Sequence, residues 1–500
     1  MSNRAAADLA EKYDTVAYVG QPNPLTHPAH LATVATLFGL APPCVATCCV
    51  LEVGCGDGAN LLPMAVGLPH ARFVGCDIAP RPLEAARAVV AALNLSNVTL
   101  LTEDLTSLPA DLSAFDYIIA HGLYSWVPTP VRDSLFALAA QRLAPNGVLF
   151  VSYNAYPGCH IRRAAWDILH FHTDAIVDPH ARIKAARTLA GRLAEPGATH
   201  EPSDALLREE FRRIETRSDS ALFHDDLGIP NDPVHFHEFI AHAQRFGFDF
   251  LAEASLPMMG VGGLSANMTQ FVSGMGRLAR EQYIDFARMR RFRQTLLCRA
   301  AAPTSGIMAA AIANMYVSAA SPLIKSALAG KDPGAALLAA DPGSAQSAAD
   351  VAPLGALLRW LVAASPGAPP VAEVKKWYRA RVPAATLAIE TLLTEACVRG
   401  LVQLHVDPPT AAVAVGEFPL ASPLARWQAS RQDQITNLRH ESLRLADAPA
   451  RQLLALLDGS RSRAALEATM MNAWPESLGT EIRQRIDDYL GHFAKLALLC

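Results

Sequence analysis

Short apolar runs alternate with amphipathic segments between residues 50 and about 155. Apolar runs bounded by turn residues predict buried strands, whereas apolar positions that recur every three or four residues predict helices. Five strands are predicted, at Cys49–Leu51 leading into Glu52, Arg72–Asp77, Val98–Thr102, Phe115–Ala120 and Gly147–Tyr153. Helices are predicted at Pro80–Leu93 and Val131–Leu143. This alternation predicts a Rossmann-like, doubly wound α/β sheet with a ligand at the carboxyl ends of its strands.

The stretch VLEVGCGDGAN, residues 50–60, joins the first strand to a helix. Gly54, Gly56 and Gly58 allow a backbone with positive φ and a close approach of a ligand to the main chain. A turn of this kind binds nucleotides. The spacing Gly54-x-Gly56-x-x-Ala59 also fits a relaxed dinucleotide fingerprint, so the glycines alone leave the ligand open.

The acidic residues at the strand ends separate these alternatives. Glu52 and Asp57 would oppose the pyrophosphate of a dinucleotide, which needs a positive helix N-terminus. They suit the ammonium and sulfonium groups of S-adenosylmethionine (SAM), while Asp77 is placed for the ribose and Glu103–Asp104 for the adenine edge. The predicted cofactor-binding residues are Glu52, Gly54, Cys55, Gly56, Gly58, Asn60, Asp77, Ile78, Glu103, Asp104, Leu105 and His121.

Two loops are expected to border the substrate. The loop after the fourth strand, 121–128, faces the transferable methyl group in a sheet of this kind, and the loop 152–158 follows the fifth strand on the same rim. His121, Tyr124 and Trp126 are therefore the catalytic candidates, and aromatic rings there would stabilise a cationic amine. The proline-containing segment 13–31 either folds over the cofactor or covers a sheet edge.

The composition bears on partners and compartment. The chain has 500 residues, a net charge of −4 and no long basic run, which argues against a nucleic-acid partner. Nine cysteines in largely apolar surroundings indicate free thiols and a reducing compartment. The most apolar stretch, Ile307–Leu323, is interrupted by polar residues and a proline, so no membrane span is predicted. The expected location is cytoplasmic.

A metal site is not predicted. Cys44, Cys48 and Cys49 lack a second pair at zinc spacing. His224, His235, His237 and His242 alternate with apolar residues as on a packed helix, which favours a structural or substrate-gating role.

Five regions are expected. They are an N-terminal lid or cap (1–49), a SAM-binding core (50–160), a helical insertion with a regulatory domain (161–300), an alanine-rich helical linker (301–370) and a winged-helix-like domain (371–500). The helices of the last region carry few base-reading side chains, so an interaction or dimerisation role is favoured over DNA binding. A core that ends near Gly158 is expected to keep SAM binding.

Long stretches resemble bacterial class I SAM-dependent methyltransferases that carry a methyltransferase regulatory domain, a family that includes protein-lysine methyltransferases acting on outer-membrane proteins. The similar stretches are YDTVAYVGQPNPLTHPAHLATVATLFGL at 13–40, VLEVGCGDGANLLPMA at 50–65, FDYIIAHGLYSWVP at 115–128, GVLFVSYNAYPG at 147–158, FHDDLGIPNDPVHFHEFIAHAQRFGFDFLAEA at 223–254, EQYIDFARMRRFRQTLLC at 281–298 and SPLARWQASRQDQITNLRHESLRLADAPARQLLALLDGSRSR at 422–463. The resemblance implies a SAM site at 52–58, at Asp77 and at Glu103 or Asp104. It also implies a regulatory domain at about 216–300, near the mouth of the site.

The sequence therefore predicts a SAM-dependent methyltransferase that yields S-adenosylhomocysteine and modifies lysine side chains of a protein. Methylation of a small metabolite or natural product, and a SAM-binding regulatory protein without turnover, are the alternatives. The oligomeric state stays open, a homodimer included.

Overall fold

The structure is a computed structural model that describes residues 13–109, 112–196, 201–302, 306–335, 348–381, 388–474 and 479–500. Three predicted features lie partly outside these residues. They are the start of the N-terminal segment, parts of the alanine-rich region, and residues 382–387 and 475–478 of the predicted winged-helix-like region.

A seven-stranded mixed sheet forms the centre of the fold. Its strands are β1 (Cys49–Val53), β2 (Arg72–Asp77), β3 (Val98–Thr102), β4 (Phe115–Ala120), β5 (Leu143–Asn154), β6 (Phe248–Glu253) and β7 (Phe292–Arg299). The order is β3-β2-β1-β4-β5-β7-β6. Strands β1 to β5 are parallel, whereas β7 is antiparallel to both β5 and β6. The predicted Rossmann-like fold is confirmed.

Both faces of this sheet are buried, which explains the uninterrupted apolar runs in the sequence. Successive side chains of a strand point to opposite faces. In β1, Val50 joins one hydrophobic core, and Leu51 and Val53 join the other. The carboxyl end of each strand is thereby fixed relative to its neighbours, which positions the residues that follow.

Helices cover both faces and build the outer regions. They are α1 (Pro28–Leu37), α2 (Leu61–Gly67), α3 (Pro80–Ala92), α4 (Thr129–Arg142), α5 (Cys159–Thr173), α6 (Pro179–Ala194), α7 (Pro202–Glu215), α8 (Phe236–Gln244), α9 (Ala266–Ser273), α10 (Arg277–Arg288), α11 (Ser321–Leu328), α12 (Ala348–Ala363), α13 (Val371–Arg381), α14 (Ile389–Val398), α15 (Pro423–Ala429), α16 (Ala448–Leu456), α17 (Arg463–Ala473) and α18 (Gly479–Lys495). After α7, a single helical turn (Asp219–Ala221) leads directly into a short π-helix, Leu222–Asp226.

The packing crosses two of the boundaries expected from the sequence. The predicted core, 50–160, lacks two of the seven strands, because β6 and β7 come from the region expected to form the regulatory domain. Residues 371–381 and 388–404 fall in the region expected to be winged-helix-like, but buried apolar side chains of these two ranges share a core with α1 and the sheet. Within them, β9 (Val402–His405) pairs antiparallel with β8 (Tyr316–Ala319).

The C-terminal region has a hydrophobic core of its own, built from residues between Ala421 and Leu499. It contains α15 to α18 and a two-stranded hairpin of β10 (Gln434–Thr436) and β11 (Ser442–Arg444). All nine cysteines are free thiols. Of the helices in the described ranges, none is both long enough and apolar enough to cross a membrane.

Candidate active site

The turn after β1 depends on its glycines. Gly54, Gly56 and Gly58 have φ angles of +73°, +52° and +72°. The amides of Gly54 and Cys55 both donate to the Cys76 carbonyl, at 2.8 and 3.1 Å, which ties the turn to β2. A Cβ atom at Gly58 would come within 2.9 Å of the Leu62 side chain. This turn therefore brings the main chain to the carboxyl edge of the sheet without side chains in the way.

A cavity of about 600 Å³ lies at that edge. Eleven of the twelve predicted cofactor-binding residues line it: Glu52, Gly54, Cys55, Gly56, Asn60, Asp77, Ile78, Glu103, Asp104, Leu105 and His121. Gly58 does not line the cavity but belongs to the turn that borders it. The strand-end acids thus meet around one space, as their positions in a parallel sheet require.

Asp77 is fixed at the end of β2. Its Oδ2 accepts a hydrogen bond from the Gly56 amide at 2.8 Å, and its Oδ1 accepts one from the Ala79 amide at 2.9 Å. Burial raises the pKa of this carboxyl above its usual range. Because a carboxylate oxygen accepts more than one hydrogen bond, both oxygens keep capacity for a ligand hydroxyl.

Glu52 is a buried acid with one oxygen still unpaired. Its Oε1 accepts a hydrogen bond from Asn60 Nδ2 at 2.7 Å, whereas Oε2 is buried with no hydrogen-bond partner in the described part of the chain. Burial raises the pKa of Glu52 to about 8, against the hydrogen bond from Asn60, and the nearby Asp57 and Asp77 add to the rise. A cationic ligand would pair with the free oxygen of this carboxyl group and would favour its ionised form.

Asn60 is the centre of a buried polar cluster. Its Oδ1 accepts hydrogen bonds from the Asn23 amide at 2.8 Å, the Thr26 hydroxyl at 3.1 Å and His440 Nε2 at 2.8 Å. His440 lies in the turn between β10 and β11 with a φ of +59°, and it is buried. The tip of the C-terminal hairpin therefore reaches the residue that orients Glu52. Sequence reasoning misses His440 because nothing local pairs it with a residue 380 positions earlier.

Residues 13–21 cover the cavity. Tyr13 and Tyr18 line it together with Val19, Gly20 and Gln21. His224 holds this cover in place, since its Nε2 donates to the Val16 carbonyl at 2.6 Å and its ring stacks on Tyr13 with the centroids 4.6 Å apart.

The three catalytic candidates occupy different surroundings. His121 lines the cavity, with Nδ1 at 2.9 Å from the Ser152 hydroxyl, and burial lowers its pKa to about 4, so its ring is neutral at pH 7. Trp126 lines the cavity as well. Tyr124 does not. Its side chain is buried in the aromatic core beneath α4 and α8, with the hydroxyl 2.8 Å from His242 Nδ1. Tyr124 therefore lies outside the cavity that His121 and Trp126 line.

Three of the four histidines considered for metal binding pair with other groups, and the rings of His235 and His237 stack with their centroids 5.5 Å apart. His224 holds the Val16 carbonyl, His242 lies 2.8 Å from Asp133, and His237 lies 2.9 Å from Gln282. Within the described ranges, no three side chains of His, Cys, Asp or Glu are grouped to hold a metal ion.

Of the further lining residues, Asn154 belongs to the predicted rim loop 152–158, whereas the others carry no recognisable sequence signal. Asn154 and Phe292 come from β5 and β7, Arg162 from α5, and Arg217 and Asp225 from the segment around the π-helix. A smaller cavity of about 80 Å³ adjoins this side and shares Tyr13, Trp126 and His224 with the larger one. Its other lining residues are Arg182, Phe223, Leu227, Gly228, Ile229 and Pro230.

The sheet, the glycine turn and the acids at the ends of β1, β2 and β3 define a class I SAM-dependent methyltransferase. Residues 50–147 match the methyltransferase domain family, 218–299 the predicted methyltransferase regulatory domain and 417–498 the PKMT C-terminal winged helix domain. The chain belongs to the bacterial methyltransferases that carry this regulatory domain, and the predicted family and SAM cofactor are confirmed.

Two curated proteins and one solved structure are similar to this chain. The chain is 36% identical over 289 residues to an uncharacterized protein of Rickettsia prowazekii, covering 57% of this chain and 52% of that protein. A second uncharacterized protein of the same organism is 34% identical over 242 residues, 48% of this chain and 96% of that protein. The structure of PKMT2 from Rickettsia typhi in complex with AdoHcy superposes with a TM-score of 0.81 at 25% identity, covering 96% and 99% of the two chains. The chain thus spans about half the length of the first of these curated relatives.

Proposed function

We propose that the chain is a protein-lysine N-methyltransferase. The observation that carries the proposal is the smaller cavity beside Trp126, which adjoins the cofactor cavity and includes the exposed Ile229. A narrow space between rings and aliphatic side chains suits the methylene arm of a lysine. The similarity to PKMT2, whose name denotes a protein-lysine methyltransferase, supports the same substrate class.

The residues at the strand ends fit the cofactor and its charge. In this proposal Glu52 receives the ammonium group of SAM, Asp77 the ribose hydroxyls and Glu103 or Asp104 the adenine. The unpaired buried oxygen of Glu52 fits a cationic group and would oppose a phosphate. When bound, SAM supplies a methyl group, and Tyr13 and Tyr18, which line the cavity, would limit the access of water to it.

SAM affinity is expected to rise with pH between about 6 and 7.5. The pKa of Glu52 is about 8 in the free protein, so the carboxyl is mostly protonated in this range and must lose its proton to meet an ammonium. Binding should therefore release a proton, which calorimetry in buffers of different ionisation enthalpy measures directly. Glu52→Gln should remove this proton release and weaken binding more than Asp57→Asn, since Asp57 is partly exposed and held by the amides of Gly20 and Ala59. If the Glu52→Gln variant released as many protons on SAM binding as the wild type does, Glu52 would not be the group that receives the ammonium.

Trp126→Ala is expected to lower turnover more than SAM affinity, because Trp126 lines both cavities on the acceptor side. Tyr124→Phe is the matched control, since it alters an aromatic residue of the same turn that does not reach the cavity.

Transfer of labelled methyl groups to a panel of bacterial proteins, RNA and metabolites, followed by mapping of the modified atom, tests the substrate class. Label on RNA or a metabolite, with none on protein lysines, would overturn the lysine proposal.

A further inference from the structure

We infer that Asp225, together with the ring-lined cavity beside it, forms a subsite for the alkylammonium end of the methyl acceptor. The inference rests on the proposed lysine substrate and deepens it. It assigns one carboxylate of the regulatory region to the acceptor nitrogen, and it assigns the smaller cavity to the aliphatic arm.

Two consecutive acids of the π-helix have different environments. Asp226 is fully buried, within 3.2 Å of Arg217 and 3.3 Å of Arg162, and its Oδ1 accepts a hydrogen bond from Trp166 at 3.0 Å. Asp225 lines the cavity, keeps 28% of its side chain exposed and has one longer contact, 3.4 Å to Arg217. Asp226 therefore pairs with both arginines and is out of reach of a ligand, whereas Asp225 is the acid of the two that a ligand can reach.

The π-helix explains why Asp225 reaches the cavity. π-helical turns are short and rare, and many of those that occur lie at functional sites. Their wider turn changes the direction of neighbouring side chains. Here His224 and Asp225 both line the cavity although they are adjacent in sequence. Burial raises the pKa of Asp225 to about 6, against the lowering by Arg217, so the group is an anion at pH 7.5.

Three aromatic rings line the same cavity as this carboxylate. Tyr13 and Tyr18 lie on the cover, Trp126 lies on the loop after β4, and all three line the cofactor cavity with Asp225. Tyr13 and Trp126 continue into the smaller cavity, where Leu227 and Ile229 add aliphatic surface. An apolar arm that ends in a cation fits this sequence of surfaces, because ring faces attract cations and the aliphatic part gains from burial.

The charge change of the reaction favours this arrangement. The bound alkylammonium first gives up a proton to water. In the transfer, the lone pair of the resulting neutral amine forms the new carbon–nitrogen bond, while the electron pair of the sulfur–carbon bond stays on sulfur. Positive charge thus moves from sulfur to nitrogen, and the product is again an ammonium. A carboxylate beside the nitrogen stabilises the positive charge that develops there in the transition state, which lowers the barrier to transfer.

The subsite is tested on the full-length protein saturated with S-adenosylhomocysteine, by calorimetric titration with n-pentylamine and with uncharged n-pentanol. The wild type is expected to prefer the amine. Asp225→Asn should lose that preference, with amine affinity lowered about 10-fold or more and S-adenosylhomocysteine affinity within 2-fold. Asp219→Asn is the matched control, because Asp219 pairs with Arg187 on the surface of the same segment. Asp225→Glu should restore the preference.

A second experiment tests the subsite by blocking the smaller cavity. Ile229 is 58% exposed, so Ile229→Trp should fold normally yet exclude both probes, whereas Leu206→Trp, at a similarly exposed position on α7, should bind like the wild type. Absence of amine preference in the wild type, or unchanged amine binding by Asp225→Asn or Ile229→Trp, would overturn the subsite. Amine binding without label on protein lysines would leave the subsite standing and refute the lysine function.

Discussion

Asp77→Ala is expected to weaken SAM binding by about 1–3 kcal/mol, roughly 5- to 150-fold. Two losses contribute. The ribose hydroxyls lose their acceptor, and the amides of Gly56 and Ala79, which donate to this carboxylate at 2.8 and 2.9 Å, lose theirs. The second loss loosens the glycine turn itself, so the effect should exceed that of removing a contact to the ligand alone.

Calorimetric titration with SAM measures this change, and a parallel titration with NAD tests the choice of cofactor. Asp77→Asn is the matched variant, because its one remaining oxygen can still accept from an amide and its effect should be intermediate. Unchanged SAM affinity in Asp77→Ala would contradict the role given to this carboxylate.

Asn60→Ala is expected to have the largest effect, lowering both stability and cofactor binding. It removes the donor to Glu52 and the shared acceptor for Asn23, Thr26 and His440. Each buried polar group left without a partner costs about 1–3 kcal/mol, so a total of several kcal/mol is expected. Glu52 also loses the group that orients it, and SAM affinity should fall more than 100-fold.

Thermal unfolding and SAM titration together separate the two effects. Asn97→Ala is the control, since Asn97 Nδ2 donates to the carbonyls of Ala65, Leu68 and Ala71, a polar contact of the same kind that involves none of the lining residues. It should lower stability and leave SAM affinity nearly unchanged. His440→Ala should keep the fold and still weaken SAM binding. Full SAM affinity in His440→Ala would contradict the coupling of the hairpin to the site.

Local pattern was enough to predict the parallel strands and the acids that follow them. Each strand is a short run, and in a parallel sheet the last residues of a strand and those directly after it lie at the carboxyl edge. The prediction for Glu52, Asp77 and Glu103 needed only this rule, and all three line the cavity.

The residues that sequence reasoning missed depend on contacts between distant segments. His440 meets Asn60 only because a hairpin of the C-terminal region packs against the sheet domain, and Asp225 reaches the cavity through a π-helix that has no periodic signature. Tyr124 shows the converse. Its place in the loop pointed to substrate, but the short 3-10 turn Tyr124–Trp126 directs it into the aromatic core and leaves Trp126 at the cavity.

The expectation for a core that ends near Gly158 changes accordingly. Such a fragment would expose the edge of β5 where β7 pairs, and it would lack His224, which anchors the cover, and His440. We now expect it to lose SAM binding along with folding.

The contact between His440 and Asn60 also sets an order in time. During synthesis the glycine turn leaves the ribosome 380 residues before the histidine that completes its surroundings. A nascent chain therefore carries an unfinished cofactor site until the hairpin has been translated and has docked.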